Sequence, residues 1–285
     1  MNSTVKPDQI DRESQPKTVA EFLNAVQVGK LSVAFNSLLG PGTSTSDLCE
    51  ILSDTVLNAN TLSILRNTKF SNISLCKEFV AQEEIDTNKY YEQIICENNI
   101  IPTRSNNWHD LFNGLIWLQM PKTKTLLNTI HIKKINEIGL VPRGAVRDRV
   151  THFDECGLVL FTREKRVLEW LSAHDWQTLF VSNRDLWFSK ITPFIFGHAL
   201  WEMLLNPYIG LTAKVIVIDV SDMNEALSLS DYDRLLFDYI MENKVFDRKR
   251  ALKPMPLLGV PSWHIGDQGP LFYEDTTYFM PKARL

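Results

Sequence analysis

Four short motifs after residue 100 place ionisable side chains beside large apolar ones. Together with the pair Trp263-His264, they contain five of the six histidines of the 285-residue chain. The motifs are Trp108-His109-Asp110, Asn128-x-x-His131, the segment 147–155 and the segment 196–202. A buried polar group must find a partner, because an unpaired one is costly in an apolar interior. We therefore expect the motifs to share one polar centre inside the protein.

Spacing places several of these side chains on common helix faces. His198 and Glu202 are four residues apart, so a helix would present an imidazole and a carboxylate on one face. Such a pair can hold zinc, iron or manganese, can act as an acid–base pair, or can be a satisfied pair of core side chains. His109 and Asn113 share a face in the same way. The pattern leaves the three interpretations open.

The segment 147–155 predicts a helical stripe with two carboxylates, a hydroxyl and an imidazole. Its members, at i, i+3, i+4 and i+7, are Asp148, Thr151, His152 and Glu155. The alternative is that Asp154 and Glu155 belong to a turn before Gly157. We interpret His152 as a surface or core residue.

The predicted site combines a divalent cation with acidic and basic side chains. The expected ligands of zinc, iron or manganese are His109, His131, His198, Glu202 and His264. The residues expected to position or deprotonate a water are Asp110, Asp154 and Glu155. The residues expected to hold the substrate are Lys124, Arg143, Arg147, Asn113 and Asn128. This set predicts a metal-assisted hydrolase acting on a small anionic, phosphoester-like substrate.

Charge supports a second hypothesis. The net charge of −4 argues against general nucleic-acid binding, but positive charge is concentrated in the segment 122–149 and would attract anions. The alternative is a non-enzymatic binding module, in which the buried His, Asp and Glu groups are structural and this basic segment docks RNA or an acidic protein. A third option is acid–base chemistry without a metal. The same basic residues also suit a solvated helix face, and the oligomeric state is not indicated.

Several motifs of common enzyme classes are absent from the sequence. There is no P-loop, no G-x-S-x-G elbow, no H-E-x-x-H helix and no paired-cysteine zinc site. This argues against standard serine hydrolases, nucleotide kinases and zincins, and no nucleotide cofactor is indicated. The four cysteines show no C-x-x-C spacing or disulfide framework, which is typical of reduced thiols. We therefore expect a cytoplasmic protein.

Hydrophobic spacing predicts helices along most of the chain. They cover 19–28, 47–65, 90–96, 108–119, 122–138, 145–155 and 224–243. The apolar stretch 191–211 is as long as a membrane span, but His198 and Glu202 lie in its middle. We expect a buried helix there, opened by Thr192-Pro193, and no membrane span.

Two apolar runs predict buried strands, at 158–161 and 213–220, the second dominated by β-branched residues. The expected fold is α+β, predominantly helical with a small sheet, in a single domain. Residues 1–17 are expected to be a disordered lead-in and 18–100 a helical scaffold of the same domain. Residues 101–285 are expected to be the motif-bearing core, with an extended tail from Pro254, within which His264 would close the site.

Taken together, the motifs resemble a known bacterial family. The most specific part is Pro102-Thr103-Arg104-x-x-Asn107-Trp108-His109-Asp110-Leu111-Phe112-Asn113, followed by Pro121-Lys122-Thr123-Lys124 and Asn128-x-x-His131. The closing segment 256–264, with Trp263-His264, also resembles a block of the family. Their order resembles domain of unknown function 3025, found mainly in proteobacteria, over residues 70–282. The resemblance singles out His109, Asp110, Asn113, Asn128, His131, Asp148, Asp154, Glu155, His198, Glu202 and His264 as family-pattern positions. It implies no particular activity, and His152 falls outside its pattern.

Overall fold

The computed structural model describes residues 16, 18–27, 33–38, 59–86, 88–223 and 225–282. Its α-helices are α1 Val19–Gln27, α2 Ala59–Thr68, α3 Tyr91–Asn98, α4 Trp108–Gln119, α5 Pro121–Ile138, α6 Ala145–Cys156, α7 Val167–Ala173, α8 His198–Leu204, α9 Leu229–Asn243 and α10 Pro270–Tyr273. Its strands are β1 Glu78–Ala81, β2 Ile100–Thr103, β3 Gly157–Thr162, β4 Ile191–Ile195, β5 Thr212–Asp219 and β6 Lys253–Pro256. These elements confirm an α+β fold in which helix predominates.

The central helices begin and end where the sequence predicts. The side chain of Asn107 accepts a hydrogen bond from the backbone N–H of Asp110 at 3.0 Å and so caps α4. Pro121 begins α5, where its missing N–H has no intrahelical partner to lose. Gly139 follows the last residue of α5 with a φ of +82°. Most of α4 is buried, so packing against the core holds the side chains at its start in place.

The first turn of α5 receives its cap from α9. Met120, the residue before α5, makes no side-chain capping bond. Instead, the carboxylate of Asp233 accepts hydrogen bonds from the backbone N–H groups of Lys122 at 2.8 Å and Thr123 at 2.9 Å. Free N–H groups at a helix start need such acceptors. The carboxylate therefore ties α5 to α9.

The larger sheet brings two helix ends together. Its strand order is β4-β3-β5-β6; β3 and β5 are parallel, and each outer strand is antiparallel to its neighbour. The strands predicted at 158–161 and 213–220 are confirmed as β3 and β5. Leu158 near the start of β3 pairs with Ile195 at the end of β4. Hence α6, which precedes β3, and α8, which follows β4, meet at one end of the sheet.

The prediction of a helix opened by Thr192-Pro193 is wrong. Residues Ile191–Ile195 form edge strand β4, and the helix begins only at His198. The β-branched side chains favour a strand, and an edge position tolerates Pro193 because a proline has no N–H to donate. Among the described residues, no helix combines the length and the apolar composition needed to cross a bilayer.

One continuous core unites these elements. It extends from Phe22 of α1 through β3 to Phe279 near the C-terminus. Phe153 of α6 stacks on Phe196 with ring centroids 4.8 Å apart, and Trp201 of α8 packs 5.3 Å from Phe35. This continuity confirms a single domain.

The structure shifts two predicted boundaries and leaves two predicted segments undescribed. The tail after Pro254 is less extended than predicted, since it contains β6 and α10. Helix α9 begins at Leu229, five residues later than predicted. The expected lead-in before residue 16 and the part of the predicted helix at 47–58 lie outside the described residues.

Candidate metal centre

Three side chains from three helices meet at this end of the larger sheet. His109 lies in the first turn of α4, Glu155 in the last turn of α6, and His198 is the first residue of α8. Nε2 of His109 lies 2.9 Å from Nε2 of His198. Oε2 of Glu155 lies 3.5 Å from Nε2 of His198 and 3.9 Å from Nε2 of His109. Two imidazole nitrogens and a carboxylate oxygen therefore form a compact triangle, which we call the His-Glu-His cluster.

The spacing of the three atoms fits a divalent metal ion. A triangle with sides of 2.9, 3.5 and 3.9 Å has a centre about 2.0 Å from each corner, which is the length of a zinc bond to nitrogen or oxygen in proteins. Within the part of the chain that the structure describes, this is the one group of three or more His, Cys, Asp or Glu residues with ligand atoms within 4.8 Å of one another. Three protein ligands leave a fourth position open to water.

A close backbone contact holds His198 beside Glu155. The backbone N–H groups of Phe196 and Gly197 both donate to the carbonyl oxygen of Gly157, at 3.0 and 2.8 Å. A Cβ atom added to Gly197 would lie only 2.5 Å from the carbonyl oxygen of Glu155. A side chain at Gly197 would therefore push α8 away from α6 and separate the two ligands.

Glu202 orients His109 from the side opposite the cluster. Its Oε2 lies 3.0 Å from Nδ1 of His109, whereas Nε2 of the same ring faces His198. The sequence predicts Glu202 as a metal ligand, but the structure places it outside the cluster. A proton on Nδ1 leaves the Nε2 lone pair free, as in the carboxylate–histidine–metal arrangement. Burial disfavours protonation of His109, but Glu202 and Glu155 outweigh it and raise its pKa.

The surroundings of His198 keep its ring neutral. This side chain is 4% exposed, and burial lowers the pKa of His198 to about 3. Among the described residues, Nδ1 of His198 has no hydrogen-bond partner. Burial also raises the pKa of the Glu155 carboxyl. A neutral imidazole and a carboxylate are both suited to bind a divalent cation.

A chain of hydrogen bonds runs beside the cluster. Nζ of Lys124 donates to Oδ1 of Asp154 at 2.5 Å and to Oδ1 of Asn113 at 2.9 Å. Nδ2 of Asn113 donates to the hydroxyl oxygen of Tyr91 at 2.9 Å. Burial alone would raise the pKa of Asp154, but the adjacent ammonium outweighs it and the pKa is lowered. Lys124 and Asn113, both predicted to hold substrate, are thus engaged in this internal chain.

Asp110 is held by one arginine through three hydrogen bonds. Its carboxylate accepts hydrogen bonds from the backbone N–H of Arg104 at 2.7 Å, from Nε at 3.0 Å and from Nη2 at 2.8 Å. The sequence predicts that Asp110 acts on a water molecule. In the structure the carboxylate instead braces the chain that enters α4.

The cluster opens into a polar cavity of 450 Å³. Its walls include Tyr91, Glu92, Arg104, His131, Arg143 and Asp154. The structure places the predicted ligand His131 in this wall but outside the cluster, and burial lowers the pKa of His131 to about 4. Arg143 reaches the same cavity and bonds to the hydroxyl of Thr151. The cavity has the size of a small-molecule site.

Three other predicted site residues have partners elsewhere. Asn128 donates to the carboxylate of Glu92 at 2.6 Å. Arg147 is 2% exposed and donates to a backbone carbonyl of the preceding loop at 2.9 Å. His264 stacks on Phe272 with ring centroids 4.8 Å apart. None of these three side chains lines the cavity, so the C-terminal motif does not join the cluster.

Sequence reasoning missed several residues of the cavity wall, among them Tyr91 and Glu92. Tyr91 and Glu92 begin α3, which is predicted only as part of a scaffold. Burial raises the pKa of Glu92 despite its hydrogen bond from Asn128. No sequence motif signals a role for either residue, since both reach the site only because α3 packs against α5.

The fold and the cluster define an α+β protein with a candidate mononuclear metal centre. The chain belongs to the family described as protein of unknown function (DUF3025), whose model matches residues 77–283. The matched region contains all three residues of the His-Glu-His cluster. No curated protein and no solved structure matches the chain.

Proposed function

We propose that this protein is a metal-assisted hydrolase that acts on a small anionic substrate of the phosphoester type. The His-Glu-His cluster carries the proposal, because its three atoms have the spacing of zinc ligands around a common point. The same ligand set suits iron or manganese.

The tautomer of His109 supports a cation at this point. Glu202 favours a proton on Nδ1 of His109, which leaves the Nε2 lone pair for a metal. Nε2 of His198 lies 2.9 Å from this Nε2, a separation that suits two nitrogens with a cation or a shared proton between them. A shared proton would correspond to the metal-free, acid–base alternative.

We assign to Asp154 the role of the base that accepts a proton from the water molecule. A divalent metal would lower the pKa of a bound water and polarise a phosphoryl oxygen. Asp154 lines the cavity next to Glu155, and Lys124 keeps its carboxylate ionised and therefore able to accept a proton. The side chain of Asp154 is 21% exposed, so it is accessible from the cavity.

The proposed reaction leaves the protein unchanged. The water oxygen forms a bond to phosphorus, and the bond between phosphorus and the ester oxygen breaks. One proton passes from the water to Asp154 and from there to the departing oxygen. The products are an alcohol and inorganic phosphate.

We assign to Arg143 the role of binding the negative charge of the substrate. Its side chain is 43% exposed and lines the cavity, and its described partners are the Thr151 hydroxyl and the Asp148 carboxylate at 3.8 Å. A guanidinium has five N–H donors, so several remain for a phosphate. Arg104, by contrast, is held in a bidentate pair by Asp110.

The alternative of a basic docking surface has less support. Within the segment 122–149, Lys124 and Arg147 are buried and have internal partners. Arg149 donates to the backbone carbonyl of Phe246 at 2.6 Å. These three cations have partners inside the protein, which leaves Lys122, Lys133 and Arg143 as the exposed cations of the segment. A cytoplasmic location stays part of the proposal and rests on the cysteine pattern.

Elemental analysis of the purified, untagged protein tests the metal. We expect about one zinc, iron or manganese ion per chain, lost in His198→Ala. The matched control is His152→Ala, which changes an exposed histidine of α6 and should keep the metal. A wild-type protein that stays metal-free after reconstitution, while His198→Ala lowers only the melting temperature, would contradict the proposal.

The hydrolytic step is tested by phosphate release from a panel of small phosphomonoesters, with amide substrates alongside. We expect release that a chelator abolishes and that zinc or manganese restores. Asp154→Asn should keep the metal and lose most of the turnover. Full turnover in Asp154→Asn would remove Asp154 from the mechanism, and amide cleavage alone would replace the substrate class.

A further inference from the structure

The direction of the hydrogen bonds beside the cluster is determined by Lys124. An ammonium group donates hydrogen bonds and cannot accept them. The atom of Asn113 that faces Lys124 at 2.9 Å must therefore be the carbonyl oxygen. The amide nitrogen of Asn113 then faces Tyr91 and donates to its hydroxyl oxygen at 2.9 Å. The orientation of this side-chain amide is thus decided by chemistry.

The hydroxyl of Tyr91 consequently acts as a donor. Its oxygen already accepts from Asn113, so its own proton is free for another partner. Among the described residues, this hydroxyl makes no second hydrogen bond. Burial raises the pKa of Tyr91 well above 10, so the proton stays in place. Tyr91 lines the cavity into which the cluster opens.

Because the cavity wall carries several carboxylates, a neutral hydrogen-bond donor there would help to bind an anion. Glu92, Asp110 and Asp154 line the wall near Tyr91, and all three carboxylates raise its pKa. An anionic substrate is repelled by these groups, so it needs donors that carry no negative charge. The positive charge of Lys124 polarises Asn113 and, through it, the Tyr91 hydroxyl.

We propose that the Tyr91 hydroxyl donates a hydrogen bond to a phosphoryl oxygen of a substrate held at the His-Glu-His cluster, and that Asn113 and Lys124 are its positioning residues. The inference deepens the proposed function and rests on it, since it names the group that meets the oxyanion. Tyr91 transfers no proton; it only stabilises negative charge on the oxygen.

Inorganic phosphate is the probe, because it is the product of phosphomonoester hydrolysis. We would label the tyrosine Cζ carbons with ¹³C in the full-length, zinc-loaded protein and titrate phosphate by NMR. The resonance that is missing in Tyr91→Phe belongs to Tyr91. We expect it to move on phosphate addition, while the resonance missing in the control Tyr208→Phe stays in place. Tyr208 lies after α8 and does not line the cavity.

Affinity supplies the second measurement. Tyr91→Phe should bind phosphate roughly tenfold more weakly, since a hydrogen bond to a charged group is lost. Its metal content should stay close to that of the wild type, because Tyr91 is not a member of the cluster. Its melting temperature should fall modestly, because the amide of Asn113 loses an acceptor. Tyr208→Phe should bind phosphate like the wild type. A Tyr91 resonance that does not move while phosphate binds, or an unchanged affinity in Tyr91→Phe, overturns the inference.

Failure of the inference and failure of the proposed function give different results. If the wild-type protein retains no metal, elemental analysis contradicts the proposed function first. The same titration of the metal-free protein then decides the inference. If the Tyr91 resonance moves, Tyr91 keeps its assignment as a donor to the oxyanion. If the resonance does not move, that assignment fails. If metal is retained and the resonance does not move, only the assignment of Tyr91 fails.

Discussion

Two glutamates approach His109, and the two nitrogen atoms of its ring decide which of them can bind a metal and which only orients the histidine. Its Nε2 faces His198 and Glu155, and its Nδ1 faces Glu202. An imidazole offers one lone pair when neutral, so the carboxylate that takes the Nδ1 proton decides which nitrogen can bind a metal. Glu155 and Glu202 therefore have different roles, although both are glutamates within 4 Å of one ring.

Glutamine substitutions separate these roles. Glu155→Gln should abolish tight zinc binding, because the cluster loses its only anionic ligand. Glu202→Gln should weaken zinc binding only by about 10–100-fold, since outer partners of a ligating histidine have effects of that size. Competition with a chromophoric chelator measures both affinities. Complete loss of zinc in Glu202→Gln together with retained binding in Glu155→Gln would instead make Glu202 the ligand.

His131 should make stability depend on pH. Burial lowers its pKa from 6.5 to about 4 in the folded protein, so the unfolded chain takes up a proton first as the pH falls. Stability from the neutral ring is therefore complete above about pH 6.5 and is lost as the pH falls towards 4, with a slope of at most about 1.4 kcal/mol per pH unit. Urea unfolding at several pH values measures this slope.

The variant His131→Leu isolates the effect, because leucine cannot titrate. Its unfolding free energy should fall less between pH 6.5 and 4 than that of the wild type. His152→Ala, which changes an exposed histidine, should keep the wild-type slope. Parallel curves for wild type and His131→Leu would show that His131 titrates alike in both states.

Among the helices, α5 shows how one element depends on another for its start. It carries His131 into the cavity wall and Lys124 to its ion pair with Asp154, yet no side chain at Met120 caps it. The cap is Asp233 of α9, which is 2% exposed and accepts two backbone N–H groups. The position of α5, and with it the Lys124–Asp154 pair, therefore depends on packing against α9.

Asp233→Ala should lower the unfolding free energy by about 1–3 kcal/mol, because two backbone N–H groups at the start of α5 lose their acceptor. Asp238→Ala is the matched control, since Asp238 lies on the same helix and is exposed. Chemical denaturation monitored by circular dichroism measures both variants. Equal losses in the two variants would show that the carboxylate cap contributes little to stability.

At the scale of the whole molecule, the cluster joins three separate helices. His109, Glu155 and His198 converge only when α4, α6 and α8 are packed at the end of the sheet. A metal bound there favours the folded state over the unfolded chain. Ligand linkage adds about 2.7 kcal/mol at a free metal concentration 100 times the dissociation constant.

We therefore expect zinc to raise the melting temperature of the wild-type protein and chelation to lower it. His198→Ala should show little dependence on zinc, whereas His152→Ala should respond like the wild type. Differential scanning fluorimetry over a series of free zinc concentrations measures the effect. An equal rise in His198→Ala would assign the stabilising site to other residues.

The sequence predicted local structure best where its signals were local. Asn107, Pro121 and Gly139 mark the ends of α4 and α5 through their own backbone chemistry, and the structure has those ends. The β-branched residues of β5 identified a strand for the same reason. The stretch 191–195 was misread as a helix, because a short apolar run is compatible with either a buried helix or a strand. Its pairing with β3 decided the outcome.

By itself, the sequence determined the fold class, the residue types available for chemistry and the family. It could not determine which of these residues come together in one site. The ligands from α4, α6 and α8 meet because the helices pack on a sheet, and not because of their spacing along one helix. His198 and Glu202, close in sequence, both contact His109 but on opposite sides of its ring. Only the tertiary structure made Glu155 the third member of the cluster, since the contact between Gly197 and Gly157 depends on two distant segments lying side by side.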